Sequence, residues 1–176
     1  SSYIYQLKGS ALGMLNDMEG AKFNLLKALK LAPNNHQAII QLAKIDLFEN
    51  NLNSAVDKLV KHTMQFEPNS EILIVLADFY LVDKSFLQAQ KYYLKALSIN
   101  PESISAILKL VNLYQQTNEL TEAIQATEKF ITNAADIAEA YSLLGKLYLA
   151  NKQHDRAKDF FNKAVKISNK KEIALL

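Results

Sequence analysis

The chain contains no cysteine, so disulfides, thiolate nucleophiles and cysteine-held metals are excluded, although no compartment follows from that. Proline and glycine are scarce, with three and four residues, which points to long regular elements joined by short links. Charge of one sign is lacking too. A formal net charge of +2 is too small to suggest a nucleic-acid groove or an anionic membrane surface. The longest apolar stretch, Ile72 to Leu76, is broken by Asp78. A bilayer span needs about 20 apolar residues, so no direct membrane insertion is expected. Ser1 and Ser2 run straight into a helical pattern and do not look like a signal peptide. There is no nucleophile elbow, Gly-rich phosphate loop, HExxH or pair of catalytic carboxylates. The sequence therefore assigns no catalytic residue, no metal and no cofactor, and no enzyme activity is expected of it.

What the chain does have is a beat. Ala21, Ala55, Ala89, Ala123 and Ala157 stand 34 residues apart. Twelve residues before each lies a small or short side chain: Gly9, Ala43, Ala77, Val111, Gly145. Nine before, the series reads Leu12, Asp46, Tyr80, Tyr114, Tyr148. Four after, it reads Leu25, Leu59, Tyr93, Thr127, Phe161, and seven after, Ala28, His62, Ala96, Phe130, Ala164.

Within one copy, Leu73, Leu76, Ala77 and Tyr80 fall on one face of an α-helix, and Phe86, Ala89, Tyr93, Ala96 and Leu97 on one face of a second. The short polar turn between them, from Val82 to Ser85, makes the two antiparallel. A small residue on each facing helix lets the axes approach to the close end of the usual ~8–10 Å range. Pro33, Pro68 and Pro101 stop second helices, and Asn34-Asn35, Asn69-Ser70 and Ser103 are placed to cap the helices that follow. The fourth link has no proline. Asp136 with Glu139 is expected to start the next helix there. Because Pro68 comes one residue later after its Ala than Pro33 and Pro101 do, the second copy is expected to carry a second helix one residue longer.

The series Leu76-Ala77…Tyr80…Ala89…Tyr93…Ala96…Pro101 resembles the tetratricopeptide repeat family. The resemblance covers nearly the whole chain, with copies at 2–35, 36–69, 70–103, 104–137 and 138–171 and the start of a further helix at 172–176. It implies an all-α fold: a right-handed superhelical solenoid of about five antiparallel helix pairs. With no polar capping helix after 172–176, a segment of a longer array or a truncated domain is expected. The resemblance also implies a concave groove lined by first helices that binds a protein or peptide. Lining slots at 15, 11 and 8 residues before each Ala, with their flanking residues, place Ile40, Lys44, Leu47, Phe48, Ile74, Asp78, Leu81, Val82, Leu108 and Asn112 in the middle of that groove. Gln6, Ser10 and Gly13 fill the same slots in the first copy.

The functional reading of these residues is an apolar trough for an amphipathic helix or an extended peptide, with Lys44 and Asp78 fixing its direction. The structural reading is packing between adjacent first helices. No copy has the Lys–Asn pair with which chaperone-binding members hold a C-terminal carboxylate, and the apolar, nearly neutral groove argues against a helical-repeat RNA reader. The family likeness implies a non-catalytic scaffold, a segment of a larger bacterial protein of assembly, secretion or envelope export, cytoplasmic or periplasmic. The alternative is a regulatory or adaptor domain of a larger enzyme. Leu175 and Leu176 at the end suggest end-to-end self-association.

Three residues depart from the pattern. Lys8 replaces Leu and is expected in solvent or against another repeat. Asp46 replaces Tyr and His62 replaces Ala, and contact between these two is one expectation. His36 and His154 read as surface residues.

Overall fold

The computed structural model describes residues 1–173, and the five copies become five helix pairs. The helices are α1 (Ser2–Met14), α2 (Met18–Leu31), α3 (His36–Phe48), α4 (Leu52–Gln65), α5 (Ser70–Val82), α6 (Phe86–Ile99), α7 (Ile104–Gln116), α8 (Leu120–Asn133), α9 (Ala138–Ala150) and α10 (His154–Ile173). No strand occurs among the described residues. Every first helix has 13 residues, and α2, α4, α6 and α8 have 14 each.

The turn inside each pair is built the same way. Asn16, Asn50, Lys84, Asn118 and Lys152 all take a left-handed conformation, with φ between 58° and 63°. The next N–H then reaches back to close the helix end: Asp17 to Leu12 O, Asn51 to Asp46 O, Ser85 to Tyr80 O, Glu119 to Tyr114 O and Gln153 to Tyr148 O, at 2.7–2.9 Å. This is a Schellman closure, which satisfies carbonyls that the helix would leave bare. Asn tolerates the conformation, but a lysine there carries about 1–2 kcal/mol of steric strain. Exchange of Lys84 or Lys152 for Gly is expected to raise stability by about 0.5–1 kcal/mol net of the entropy that Gly adds to the unfolded chain. The check is a higher urea midpoint at unchanged slope. A lower midpoint would mean that the lysine side chain contributes more than its backbone strain costs.

First helices start on side-chain caps where the sequence offers them. Asn35 accepts from Ala38 N–H at 3.0 Å, Asn69 from Ile72 N–H at 3.0 Å and Ser103 from Ala106 N–H at 3.3 Å. Three expectations fail. The start of α9 falls on Ile137, which has no side-chain cap; Asp136 lies one position outside the helix and is exposed. The second helix of the second copy is no longer than the others. α4 ends at Gln65, because Phe66 turns extended (φ −130°, ψ 146°) and the shift of Pro68 is taken up inside the link. Glu172 and Ile173 do not open a new helix but continue α10, since no Pro or Gly interrupts Lys166 to Ile173. Ala174, Leu175 and Leu176 lie outside the described residues.

Contacts divide the chain into two compact units, Ser1–Tyr92 and Tyr93–Leu176, with the division inside α6. In the first unit α1 packs on α2 and α3, α2 on α3, α3 on α4 and α5, and α4 on α5. Its core begins with Ala21, Leu25, Ala28, Ala38, Leu42 and Ile45, against which Tyr5, Leu12, Met18 and Leu29 pack. In the second unit α7 packs on α8 and α9, α8 on α9, and α9 on α10. There Leu110, Leu113, Leu144 and Leu147 are buried. Each fully buried Leu contributes roughly 1.5–3 kcal/mol.

The beat itself is the point of closest approach. All five Ala of the series are buried. A Cβ on Gly9 would stand 2.7 Å from Leu25 Cγ, and one on Gly145 would stand 2.8 Å from the Phe161 ring, so no side chain fits at either place. Lys8 is exposed, whereas Leu42, Leu76, Leu110 and Leu144 in its register are buried.

Asp46 and His62 do not meet. Asp46 is 8% exposed and accepts from Ser54 Oγ at 2.7 Å and from the Lys58 ammonium. His62, 5% exposed, instead faces His36, with Nδ1 of His36 2.9 Å from Nε2 of His62, and packs on Phe66. His36 is therefore half-buried rather than a surface residue, while His154 is exposed. Burial, and then the neighbouring His36, hold the His62 imidazole below its ordinary pKa.

Candidate functional site

α3 carries Ile40, Lys44, Leu47 and Phe48, and α5 carries Ile74, Asp78, Leu81 and Val82 at the same register, 34 residues on. Steps of three and four residues keep each set on one helix face. α3 lies against α5 on one side and α1 on the other, and the Gln37 amide donates to the Glu71 carboxylate between α3 and α5. The eight residues are thus brought to one face of the first unit, but they are not equally open.

Ile40 and Ile74 are 1% and 9% exposed, which puts them inside the packing rather than on an open surface. Leu47, Asp78 and Leu81 are half-buried. Phe48 and Val82 stand out at 66% and 58% exposed. Lys44 is exposed and makes no ion pair among the described residues. Leu108 and Asn112 lie on α7 of the second unit. Both are exposed there, and Asn112 accepts from the Gln116 amide at 3.1 Å.

The slot reading did not include Met14. It is 90% exposed and occupies the Phe48 and Val82 register on α1, so the apolar rim of the first unit runs Met14, Phe48, Val82. Its signal was in the sequence, as a large apolar residue at the same interval.

Beside this rim lies a cavity of about 320 Å³ between α1, α2 and α3, with Gly9, Gly13, Met14, Gln41, Lys44 and Phe48 among its walls. The two glycines differ in kind. Gly9 is required by the Leu25 contact. Gly13 is not: a Cβ there would meet only Ala21 Cβ, at an ordinary 3.8 Å, and no glycine of the chain has a positive φ. Near the end of α1 it costs about 0.5–1 kcal/mol relative to Ala, and what it provides is space. Gln41, on the cavity wall, has its Oε1 buried with no donor. Among the described residues no group of three or more His, Asp or Glu could hold a metal ion, and no helix is long and apolar enough to cross a membrane.

Comparison with known proteins gives the chain its context. The model of the tetratricopeptide repeat matches residues 2–35, 70–103 and 138–171. The human protein O-mannosyl-transferase TMTC1 is 26% identical over 137 residues, which is 77% of this chain and 15% of that protein, so the chain spans less than a fifth of this relative. The crystal structure of MamA superposes with a TM-score of 0.68 at 26% identity, covering 93% of this chain and 96% of that one. The structure of YrrB, a tetratricopeptide repeat protein with an unusual peptide-binding site, gives a TM-score of 0.60 at 19% identity over 99% of this chain and 90% of that one, a likeness of fold.

Proposed function

The chain belongs to the tetratricopeptide repeat family, and on that premise we propose that it is a non-catalytic scaffold that holds a partner's peptide or helix against the first helices of its N-terminal unit. One observation carries this reading. Met14, Phe48 and Val82 repeat at one register and leave more than half of each side chain in solvent, with the unpaired Lys44 beside Phe48. An exposed aromatic among aliphatics, next to one charge, is the composition of an interface anchor with its orienting group. The half-buried Leu47 and Leu81 form the floor of the trough, and Asp78 lies one helix away from Lys44. In this proposal the segment belongs to a larger assembly protein, of the bacterial secretion or envelope-export kind.

A second reading, an adaptor domain within a longer enzyme, draws on TMTC1, a transferase by name, of which this chain matches 15%. In both readings the repeats do the holding and the chemistry, if any, lies elsewhere.

The test is a random peptide library panned on the immobilised protein, with the affinities of recovered peptides then measured for wild type, Phe48→Asp and Lys44→Glu. Loss of a central aromatic anchor costs about 2 kcal/mol, so Phe48→Asp is expected to weaken the recovered peptides about 30-fold with the thermal midpoint unchanged. Lys44→Glu should select against acidic peptides. Recovered peptides that bind both variants as well as wild type would place the binding face elsewhere.

A further inference from the structure

The cavity behind the rim gives the partner a more definite chemistry. We propose that it is a socket for one leucine- or methionine-sized side chain of an acidic partner segment, with a neighbouring carboxylate held by Lys44 and a backbone N–H given to Gln41 Oε1. This rests on the groove reading above and names what the groove takes at its first slot.

Three independent observations converge. The first is internal to the repeat. The slot of Gly13 holds Leu47, Leu81 and Leu149 in the second, third and fifth copies and Gln115 in the fourth, so the first copy alone places no side chain at this register. Packing does not demand the omission, since a Cβ at Gly13 meets only Ala21 Cβ at 3.8 Å. The volume left open, about 320 Å³, is walled by Met14 and Phe48 on its outer side. Flexible methionine and an aromatic ring adapt readily to an aliphatic guest.

The second observation is Gln41. Its register holds Leu7, Val75, Lys109 and Leu143 elsewhere, and this copy alone places an amide there. Its Oε1 is buried with no donor. A buried acceptor without a partner is a cost that a ligand can remove. If the amide turns toward the cavity it lines, a backbone N–H entering with the guest supplies the missing donor.

The third is charge. Lys44 stands on the same wall, is exposed, and has no carboxylate partner among the described residues. An aliphatic side chain, an amide N–H and a carboxylate are the features of a leucine or methionine beside an acidic residue. They are not those of a basic or purely apolar segment.

N-Acetyl-L-leucine carries all three groups, and we choose it as the probe. Titration into the ¹⁵N-labelled protein, followed by amide chemical shifts, is expected to move Gly9, Gly13 and the Gln41 side-chain amide with a dissociation constant in the millimolar range. N-Acetyl-L-alanine should bind at least about tenfold more weakly, because it buries three fewer apolar carbons at about 0.8 kcal/mol each. N-Acetyl-L-leucinamide, which lacks the carboxylate, should bind more weakly to wild type and equally to Lys44→Met. Gly13→Leu supplies the side chain that three of the other four copies carry and should abolish the response, and Gly13→Ala should reduce it.

Shifts that spare Gly13 and Gln41, equal binding of the alanine analogue, or no response in the millimolar range would each overturn the socket. The library peptides separate its failure from that of the groove. If they need Phe48 but bind Gly13→Leu as well as wild type, the groove stands and the socket falls. If they are indifferent to Phe48, the groove reading itself is lost.

Discussion

Replacing Lys58 with Met is expected to lower the stability of the protein by about 2–3 kcal/mol, although a long side chain of similar length is kept. The reason is Asp46. Its side chain is 11% exposed and its charge is met by Lys58, itself 35% exposed, with the Ser54 hydroxyl completing the set. Removing the ammonium strands a carboxylate that water cannot fully reach. The loss falls short of the full penalty for a deeply buried pair because Lys58 already stands partly in solvent. The other copies show what this ion pair stands in for. Asp46 and Lys58 occupy the register of Tyr80 and Tyr92 and of Tyr148 and Phe160, both stacked ring pairs with centroids 5.4 Å apart. The second copy thus joins its two helices by charge where the third and fifth use aromatic faces. Asp46→Tyr combined with Lys58→Phe should therefore cost little, within about 1 kcal/mol of wild type, since a well-packed apolar pair usually equals or exceeds a buried ion pair. Urea unfolding of both single variants and the double closes a cycle. Additive losses would show that the two slots do not act as a pair.

That exchange also marks how much of the fold the sequence made legible. The interval of 34 residues placed five helix pairs because each copy must bury the same face against its neighbours, and periodic burial is written directly into residue size. Asn35, Asn69 and Ser103 were readable as caps because a short polar side chain before an apolar helix has one obvious use. The boundary of α4 was misread because proline stops a helix without fixing how many link residues precede it. Phe66 goes extended by itself, and Pro68 has a second place to stand. Asp136 and Glu139 had the spacing of a capping box, but a cap needs the residue at the helix boundary, and that place went to Ile137. The contact of Asp46 with His62 failed because a departure from pattern says that a partner is needed without saying which. Lys58 and Ser54 sit on the nearer helix turn, and His36 was already waiting for His62.

The candidate site was legible as a set of slots and not as a surface. The register places Ile40 and Phe48 on the same helix, yet their exposures are 1% and 66%. Ile40 lies in the interior of α3, whereas Phe48 is its last residue, where neighbours thin out. The cavity is less legible still. Gly13 reads as one more small residue until its surroundings separate it from Gly9. One glycine is pressed against Leu25 and the other faces open volume.

The pairing of Gly145 with Phe161 leads to the second large effect. Copy by copy the two series read Gly9 with Leu25, Ala43 with Leu59, Ala77 with Tyr93, Val111 with Thr127 and Gly145 with Phe161, and the last two copies run in opposition. The bulkiest residue of the first series shares its copy with the smallest of the second. Thr127 is fully buried there, with its hydroxyl donating to Ala123 O at 2.8 Å. Gly145→Val alone is expected to cost about 2–3 kcal/mol, because its Cβ would fall 2.8 Å from the ring of Phe161. Phe161→Thr alone should cost about 2–4 kcal/mol through lost packing, the hydroxyl being free to bond Ala157 O as its counterpart does. Together they give the fifth copy the side chains of the fourth, and the double is expected to recover about 2 kcal/mol of the summed loss. Recovery stops short of wild type for a further reason of volume. The fourth copy returns the bulk missing at Thr127 through Phe130, one turn along, where the fifth has Ala164. Adding Ala164→Phe should narrow the remaining gap. Strict additivity in this series would mean that each copy is packed by its surroundings at large and not by the exchange of volume between two facing slots.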